Sequence, residues 1–387
     1  MAVKREKSLD HGALPDIAAL TGARWFAGKG RDVSGIGQVD EIALDGAAGA
    51  WVALIDVAYE DGGSERYTLA LRDGQECGGN DPVWATLARR AGVDAKPGRS
   101  RFLAEDLSNT VVSIDDRFVL KLFRRLERGP HPEAELLEAL TGFAQVPELA
   151  GVVDHDGMTV ALVEEYVAGA PVGWEGLIAR LAAGDDALDD VGDLGRMAAT
   201  LHEELAARLS TRVGNRTDVD AERVSAGTRI VGVELSPAID ARLAKLDRLV
   251  GVPLQRVHGD LHVGQVLRTS RGLVAIDFEG DPSLPLAERS RERSALVDLA
   301  SLLLSVDHAG CAAARRQASF DWRGWSRRAR TVCVGAYEET VGSIDPELLR
   351  ALEIAKELRE LDYATRWLPE WLYAPRAVLP TLLEDGA

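Results

Sequence analysis

Cysteine is scarce in this sequence, with three residues among 387. Cys77, Cys311 and Cys333 lie far apart and lack the close spacing of a metal site. This excludes a small protein stapled by disulfides and a cysteine-based metal centre, and it predicts buried, apolar thiols in a reducing cytoplasm. The length predicts two or three subdomains with an ample core.

The sequence is also short of positive charge. Its 45 lysines and arginines stand against 62 aspartates and glutamates, which gives a formal net charge of −17. Binding to nucleic acid or to an anionic membrane needs a basic surplus that neutralises phosphates, so the composition argues against both partners. A local basic groove for a small anion such as ATP is compatible with an acidic total.

Long apolar runs are missing as well. No stretch approaches the ~20 residues that cross a bilayer, and the charged segment Met1–Asp10 has no apolar core. We therefore expect a cytoplasmic protein without a signal peptide. The sequence contains no G-x-x-x-x-G-K-[ST] motif, which argues against a P-loop NTPase.

The first half of the chain has mostly strand-like patterning. Residues 1–95 are predicted to form an α+β unit, and residues 96–168 a second unit whose order of strands and helix is typical of the small lobe of a kinase. Strands are predicted at 51–59, 66–72, 102–114, 117–123 and 158–167, and helices at 81–91 and 132–143.

The second half of the chain, residues 169–387, has mainly helical periodicity. Its predicted helices lie at 236–250, 293–308, 322–341 and 346–364. A motif bracketed by strand-like runs interrupts them at 257–279. No internal repeat and no low-complexity segment accompanies this pattern.

That motif reads Val257-His-Gly-Asp-Leu-His-Val-Gly-Gln265, followed by Ala275-Ile-Asp-Phe-Glu279. It has the layout that a kinase needs, in which a first Asp accepts the proton of a hydroxyl while an amide and a second Asp hold metal ions. Asp260 is the predicted base, and Gln265 and Asp277 are the predicted Mg²⁺ ligands. Either half alone also fits an ordinary turn or strand end, so the joint spacing carries the prediction of a phosphotransferase.

Other residues of the motif have less defined roles. His258 is expected to brace the loop by hydrogen bonds, since imidazole is a poor Mg²⁺ ligand. His262 is a weaker candidate for contact with the substrate. Glu279 either assists a second metal ion or has no direct part in the chemistry.

Lys121 alternates with apolar residues in Phe118-Val-Leu-Lys-Leu-Phe123, as a strand lysine that contacts the α- and β-phosphates of ATP does. We predict that its carboxylate partner is Glu135 in the following helix, with Glu133 as the alternative. Both glutamates also favour a helix N-terminus whatever their role. An ordinary solvent-facing lysine is the competing interpretation of Lys121.

Two further segments are predicted to contact the nucleotide. Ser108, Asn109 and Thr110 lie where a loop covers the phosphates, although this segment lacks the glycine-rich pattern and also fits a simple polar turn. Glu164-Glu-Tyr-Val167 occupies the place of a hinge between kinase lobes. There, backbone groups of Glu165 and Val167 are predicted to bond adenine.

The block 258–289 resembles the bacterial maltokinases and the related actinobacterial glucosamine kinases, in the aminoglycoside-phosphotransferase branch of the protein-kinase-like fold. Segment 24–31 is similar to the opening motif of their N-terminal cap, and we expect it to form a turn that packs the cap on the intermediate lobe. The resemblance implies an α+β, bilobal protein-kinase-like fold. Its parts are a cap (1–95), a β-rich nucleotide-binding lobe (96–168) and a helical, sugar-binding C-lobe (169–387).

Segment 355–371 departs from the Asp-Lys-Ala…Tyr-Glu pattern of the maltokinase substrate helix, and this moves the prediction from maltose to glucosamine. An acidic pocket binds the ammonium of glucosamine by charge-assisted hydrogen bonds. The predicted carboxylates are Glu357, Glu360 and Asp362, and Trp367 or Trp371 is predicted to stack on the sugar. A solvated helix face and core packing are the alternative interpretations of these carboxylates and tryptophans.

We therefore expect an enzyme that uses ATP and Mg²⁺ to phosphorylate glucosamine, at the 6-hydroxyl. The nearest alternative is a maltokinase that makes maltose 1-phosphate. A catalytically silent kinase-like binding protein is the alternative from another class, and the joint presence of Lys121, Asp260, Gln265 and Asp277 argues against it. The expected partners are ATP and a small sugar, without nucleic acid or membrane, in a monomer or a homodimer.

Overall fold

The structure, a computed structural model, describes residues 14, 17–23, 25–44, 49–96, 98–104, 108–171, 173–226, 236–282 and 284–384. The chain divides into two compact units. Unit 1 comprises Met1–Ala134 and Glu148–Tyr166, and unit 2 comprises Glu135–Pro147 and Val167–Ala387. Arg24, in the predicted cap motif, lies outside the described residues.

Unit 1 is built mainly of antiparallel strands. The strands are β1 (Val33–Ala43), β2 (Ala50–Tyr59), β3 (Ser64–Arg72), β4 (Gln75–Glu76), β5 (Ser100–Ala104), β6 (Thr110–Ile114), β7 (Phe118–Leu122), β8 (Arg125–Leu126), β9 (Leu149–His155) and β10 (Met158–Glu165). The helices are α1 (Ile17–Gly22), α2 (Val83–Arg90) and α3 (Pro132–Ala139), the last of which begins in unit 1 and ends in unit 2.

Two sheets form unit 1. The first has the order β1-β2-β3-β4, with β8 beside β3, and the second has the order β5-β6-β7-β10-β9. Residues 115–117 join β6 to β7, and Asp115 and Asp116 have positive φ angles of 56° and 50°, as the central residues of a type I′ turn do. The hairpin is confirmed, but the single strand predicted at 102–114 is wrong, because β5 and β6 are separate strands there.

The predicted cap motif is a turn, as expected. Arg31 N–H donates to the carbonyl of Gly28 (3.1 Å). The Arg124 guanidinium lies 4.6 Å from the ring centre of Trp25, a cation–π contact that packs the motif against the segment after β7. The boundary between a cap at 1–95 and a lobe at 96–168 stays a prediction, since β8 extends the first sheet and both sheets belong to unit 1.

Unit 2 is mostly helical. Its strands are β11 (Ala170–Pro171), β12 (Arg212–Val213), β13 (Pro253–Leu254), β14 (Val266–Thr269) and β15 (Gly272–Ala275). Its α-helices are α4 (Trp174–Ala182), α5 (Leu188–Arg208), α6 (Arg216–Ser225), α7 (Pro237–Leu243), α8 (Leu286–Arg289), α9 (Leu296–Arg316), α10 (Trp322–Val341), α11 (Pro346–Trp367) and α12 (Tyr373–Leu383), with 3-10 turns at Ala244–Leu249, Val263–Gln265 and Pro369–Trp371.

Helix α9 is the core helix of unit 2, and all its residues from Leu296 to Ala313 are buried. By length and composition it is apolar enough to cross a membrane, which corrects the expectation that no segment reaches that size. Its apolar stretch is wholly buried in the protein, as in the core helix of a globular unit. Its polar residues, among them Asp298, Ser305 and His308, therefore need partners inside the unit.

The other helix predictions are confirmed to differing degrees. Helix α10 has the predicted bounds and α11 runs three residues further, whereas the helix predicted at 236–250 is α7 followed by a 3-10 turn. Cys77, Cys311 and Cys333 are free and buried, as expected. Burial raises the pKa of each thiol to about 12, so these cysteines are not reactive thiolates at neutral pH.

Candidate active site

A β-hairpin brings the two predicted metal ligands together. β14 and β15 are antiparallel with Val266 opposite Ala275, so the residues that flank the hairpin are neighbours although twelve positions separate them. Gln265 Nε2 donates to Asp277 Oδ2 (2.8 Å), and the Ile276 amide donates to the carbonyl of Gln265 (2.9 Å). The spacing noticed in the sequence is thus the length of a short hairpin.

The loops that carry Asp260 and Asp277 approach each other at two glycines. A Cβ on Gly259, whose φ is +86°, would lie 3.1 Å from Cα of Gly280, a contact tighter than side chains normally make. Asp277 itself has a φ of +69°, a conformation that non-glycine residues rarely adopt and that is concentrated at functional sites. The backbone at Asp277 thus adopts an unfavourable local conformation that sets the position of its side chain.

Asp298, on the core helix α9, holds the segment 258–264 around the predicted base Asp260, which we call the catalytic loop. Its Oδ2 accepts from the His258 amide and its Oδ1 from the Gly259 amide, both at 2.8 Å. His202 Nε2 lies 3.1 Å from Oδ2, and its Nδ1 lies 2.8 Å from the Tyr337 hydroxyl. Burial alone would raise the pKa of Asp298, but the contacts with His202 and the loop lower it, so the carboxylate is charged.

His258 braces the loop, as expected. Its ring is buried, Nε2 lies 3.0 Å from the carbonyl of Ile276, and the ring packs on Phe278 with 4.6 Å between ring centres. Glu279 is buried beside Arg289, whose Nη1 donates to the Glu279 carbonyl (3.1 Å) and lies 3.7 Å from its carboxylate. The contact with Arg289 accounts for the burial of Glu279 without a metal ion.

Asp260 lies in an ion-pair network that the sequence analysis missed. Lys356 Nζ is 3.1 Å from Asp260 Oδ1 and 2.9 Å from Glu360 Oε1. Asp260 Oδ2 lies 4.0 Å from His262 Nε2, too far for a hydrogen bond. Burial lowers the pKa of His262, with Asp260 opposing the shift. The only sequence signal for Lys356 was its i,i+4 spacing to Glu360, which surface helices also show.

The predicted acidic residues of α11 separate into two groups. Glu357 is buried and its Oε1 lies 3.0 Å from His308 Nε2, while its Oε2 is buried with no hydrogen-bond donor among the described residues. Burial would lower the pKa of His308, but Glu357 raises it; burial raises the pKa of Glu357. Burial would also raise the pKa of Glu360, but Lys356 lowers it. Glu357 and Glu360 are three residues apart on α11, and Glu360 adds to the rise in the pKa of Glu357, so the His308–Glu357 and Lys356–Glu360 pairs form one cluster.

Asp362 does not join that cluster. It follows Glu360 by two residues, a rotation of about 200° around the helix, and therefore lies on the opposite side of α11. Its carboxylate accepts from Arg366 Nε (3.0 Å) one turn later. The structure thus places Asp362 in a surface pair, which corrects its assignment to the acceptor pocket.

Trp371 lies with the cluster, and Trp367 does not share its aromatic contacts. The Trp371 ring centre is 5.2 Å from that of Trp174 and 5.9 Å from that of His308. Trp174 also approaches the catalytic loop, because a Cβ on Gly264 would be 3.3 Å from its ring. Trp367 is 48% exposed on α11. His308 and Trp174 were missed as site residues because neither belongs to a motif with a stated role.

In unit 1, Lys121 is buried between two carboxylates. It forms an ion pair with Glu133 in α3 and lies 3.6 Å from Glu164 Oε1 in β10. The chosen partner Glu135 is wrong; its carboxylate pairs with Arg256, just before the catalytic loop. Two residues along a helix are rotated by about 200°, so Glu133 and Glu135 cannot serve the same neighbour.

The other residues predicted to bind the nucleotide lie in or next to the second sheet of unit 1, and Val167 follows it in the chain. Asn109 Oδ1 accepts from the Arg124 amide (3.1 Å), which ties the turn before β6 to the residue after β7. Ser108 is exposed and Thr110 is buried at the start of β6. The amide of Glu165 donates to the Glu148 carbonyl (2.8 Å). Val167 is buried at the start of the second segment of unit 2.

The oxygen ligands around Asp277 fit a magnesium ion. Mg²⁺ is usually held by one or two protein groups together with substrate phosphates and water. Gln265 and Asp277 supply an amide and a carboxylate in mutual contact. Among the described residues no group of three or more His, Cys, Asp or Glu side chains could hold a metal. The two ligands therefore suit an ion completed by phosphates rather than a protein cage.

Comparison with known proteins agrees with this geometry. Residues 100–332 match the phosphotransferase enzyme family, and residues 20–95 match the maltokinase N-terminal cap domain. The chain is 36% identical over 319 residues to a glucosamine kinase of Mycolicibacterium smegmatis, covering 74% of this chain and 80% of that one. It is 33% identical over 323 residues to a glucosamine kinase of Streptacidiphilus jiangxiensis, covering 74% of each.

Two solved structures extend the similarity to nearly the full length. A glucosamine kinase in complex with glucosamine, ADP and inorganic phosphate superposes with a TM-score of 0.69 at 26% identity, covering 96% of this chain and 100% of that one. A glucosamine kinase in crystal form A gives a TM-score of 0.71 at 27% identity, covering 97% and 100%. The predicted resemblance and the protein-kinase-like fold are confirmed, and the chain belongs to the phosphotransferase enzyme family, with a maltokinase-type cap at its N-terminus.

Proposed function

We propose that this enzyme transfers the γ-phosphate of ATP to glucosamine and forms glucosamine 6-phosphate. The observation that carries the proposal is the buried Glu357, whose Oε2 has no hydrogen-bond donor among the described residues. It lies three residues before Glu360 on α11, and Glu360 shares the ammonium of Lys356 with Asp260. A buried carboxylate oxygen without a donor is costly, and an ammonium from the acceptor would satisfy it. Relatives named glucosamine kinase support the same acceptor.

Asp260 is the proposed base. Its Oδ1 is occupied by Lys356, so Oδ2 is the oxygen that accepts the proton of the attacking hydroxyl. Phosphoryl transfer passes through a loose transition state with little covalent work for the protein, and alignment of the hydroxyl matters more than proton abstraction. The hydrogen bonds of Asp298 to the His258 and Gly259 amides support this alignment, because they fix the backbone beside Asp260.

Gln265 and Asp277 are the proposed ligands of Mg²⁺. When bound, the ion neutralises the charge that develops on the transferring phosphoryl group. The contact between Gln265 Nε2 and Asp277 Oδ2 and the hairpin behind them keep the two side chains together before the nucleotide arrives.

Lys121 is the proposed contact of the α- and β-phosphates, and Glu133 holds its ammonium. Ser108, Asn109 and Thr110 are proposed to border the phosphates, and the backbone of Glu165 and Val167 to bond adenine. The ADP bound to a solved relative supports an adenine nucleotide as the phosphate donor.

Trp371 and His262 are proposed to contact the acceptor sugar, together with Trp367 at the C-terminal end of α11. Trp371 and Trp174 give the cluster an aromatic side, and sugar rings pack their apolar C–H faces on aromatic rings. We also propose that the enzyme works in the cytoplasm, where free cysteines persist.

A maltokinase that forms maltose 1-phosphate is the second candidate. The observation that favours it is the match of residues 20–95 to the maltokinase cap domain. The charged cluster on α11 distinguishes the two candidates, since maltose has no ammonium to bind Glu357. A catalytically silent binding protein is disfavoured because the chain keeps all four residues expected of an active kinase. These residues are Lys121, Asp260, Gln265 and Asp277.

The deciding experiment measures ATP consumption with Mg²⁺ against glucosamine, maltose, glucose, N-acetylglucosamine and an aminoglycoside. We expect turnover with glucosamine to exceed that with N-acetylglucosamine by at least about 100-fold, since acetylation removes the ammonium. D260N should lower kcat by about 10³-fold with unchanged folding. Selectivity for maltose would establish the second candidate, and no turnover on any acceptor would favour the silent protein.

A further inference from the structure

Lys356 is the cation nearest to the proposed base among the described residues that contact it. The lysine comes from α11, 96 positions after Asp260 in the chain. Its ammonium touches Asp260 and Glu360 and lies 3.9 Å from Asp281 Oδ2. The side chain is only 12% exposed, so these contacts are made largely out of water.

Lys356 is held in its charged form. Burial alone would lower its pKa, but the carboxylates of Asp260 and Glu360 raise it. Arg359, one turn away and 3.9 Å from Asp281, opposes the shift only in part. A buried ammonium between carboxylates forms charge-assisted hydrogen bonds, which are short, directional and stronger than neutral ones.

The two oxygens of Asp260 are not equivalent because of this contact. Oδ1 accepts from Lys356 at 3.1 Å, whereas Oδ2 is 4.0 Å from His262 Nε2, beyond hydrogen-bond distance. A carboxylate without such a partner turns about its side-chain bonds and presents either oxygen. The bond to Lys356 therefore selects one orientation of the base.

We infer that Lys356 is a positioning residue for phosphoryl transfer, which holds Oδ1 of Asp260 so that Oδ2 accepts the proton of the acceptor hydroxyl. This inference rests on the proposed function for the identity of the base. The lysine acts through Asp260, and its contribution therefore appears in the alignment of the attacking hydroxyl.

The test compares K356M with K356R and with K245M. Lys245 is the matched control because it forms a lysine–glutamate pair with Glu347 in the same unit, but with a side chain 43% exposed. We expect K356M to lower kcat by about 100-fold with KM values for ATP and acceptor within about 3-fold of wild type. K356R keeps the charge and should recover kcat to within about 10-fold, while K245M should match wild type.

The unfolding midpoints of wild type, K356M, K356R and K245M show whether a loss of activity comes from misalignment of Asp260 or from loss of the fold. A K356M protein that is folded and keeps its kcat would overturn the inference, as would an effect confined to KM, which would assign Lys356 to acceptor binding. Failure of K356R to recover kcat beyond K356M would also overturn it. If wild type prefers another acceptor of the panel, glucosamine is rejected and the same variants are measured with that acceptor. A wild type without turnover overturns both proposals.

Discussion

Two lysines that are buried or nearly so, one in each unit, make the same kind of contact. Lys121 lies between Glu133 and Glu164 in unit 1, and Lys356 lies between Asp260 and Glu360 in unit 2. The partner Glu133 is 12 residues from Lys121, whereas Asp260 is 96 residues from Lys356. The contact of Lys121 is predictable from the sequence, because a strand and the helix that follows it bring the two residues together. The contact of Lys356 with Asp260 depends on how the elements of unit 2 pack.

The comparison also separates two tasks. Lys121 is proposed to bind the nucleotide, and Lys356 to orient the base. Loss of the first should therefore raise the KM for ATP as well as lower kcat, whereas loss of the second should affect kcat alone. The following experiments test this distinction, in order of decreasing expected effect.

Lys121 provides the largest expected effect outside the base itself. K121M should lower kcat/KM for ATP by about 10³-fold, because it removes the charge proposed for the phosphates and leaves Glu133 buried without its cation. E133Q should have a smaller effect in the same direction. Steady-state kinetics with varied ATP measure both, with E135Q as the control on the same helix. An E135Q defect as large as that of E133Q would contradict the partner assignment.

Asp298 tests whether the catalytic loop depends on the core helix. D298N should lower the free energy of unfolding by about 3 kcal/mol, since it replaces a buried carboxylate that accepts from the His258 and Gly259 amides with a neutral amide. Urea unfolding measures the loss. The exposed Asp362 pair is the control, and D362N should cost about 0.5 kcal/mol or less. Equal stability of D298N and wild type would show that the loop does not need this charge.

The same carboxylate predicts how stability depends on pH. The pKa of Asp298 is lowered in the folded protein. Its contribution is therefore fully present above the unfolded-state pKa near 3.8, and is lost as the pH falls through the lower folded-state pKa. The stability difference between wild type and D298N should shrink in that acid range, and a constant difference down to the lowest pH would contradict this account.

Glu357 tests recognition of the ammonium. E357Q should raise the KM for glucosamine by roughly 10-fold or more, because a hydrogen bond to a charged group is replaced by one to a neutral amide. The KM for ATP should stay unchanged. D362N again serves as the control, since its carboxylate lies on the other side of α11. A rise in KM for D362N equal to that for E357Q would return Asp362 to the acceptor site.

The two tryptophans give the smallest expected effect. W371A should raise the KM for the acceptor by roughly 5-fold, since loss of a stacking contact is worth about 1 kcal/mol. W367A should change it by less, because that ring is half exposed and makes none of the aromatic contacts of Trp371. Acceptor kinetics at saturating ATP distinguish them, and a larger effect for W367A would reverse the assignment.

These comparisons show what was predictable from the sequence. The proximity of Gln265 and Asp277 was predictable because a short hairpin joins them, that of Asp260 because it lies five residues before Gln265 in the same motif, and the burial of Lys121 because strand alternation places it. Which of Glu133 and Glu135 pairs with Lys121 was not predictable, because both residues lie on the same short helix and only the folded structure shows which neighbour each one faces. Asp298, His202, His308 and Lys356 were hidden because partners 40 to 135 residues away determine their roles.

Helix α9 has a further consequence for the chemistry. It carries Asp298, which holds the loop of the base, Ser305, whose hydroxyl accepts from the Val263 amide (3.1 Å), and His308, which contacts Glu357. One helix thus sets the spacing between the loop of the proposed base and the carboxylate proposed to bind an amine. If the proposed roles of Asp260 and Glu357 hold, this buried helix determines which hydroxyl of the acceptor reaches Asp260. An acceptor whose amine is moved by one carbon should then offer a different hydroxyl to Asp260.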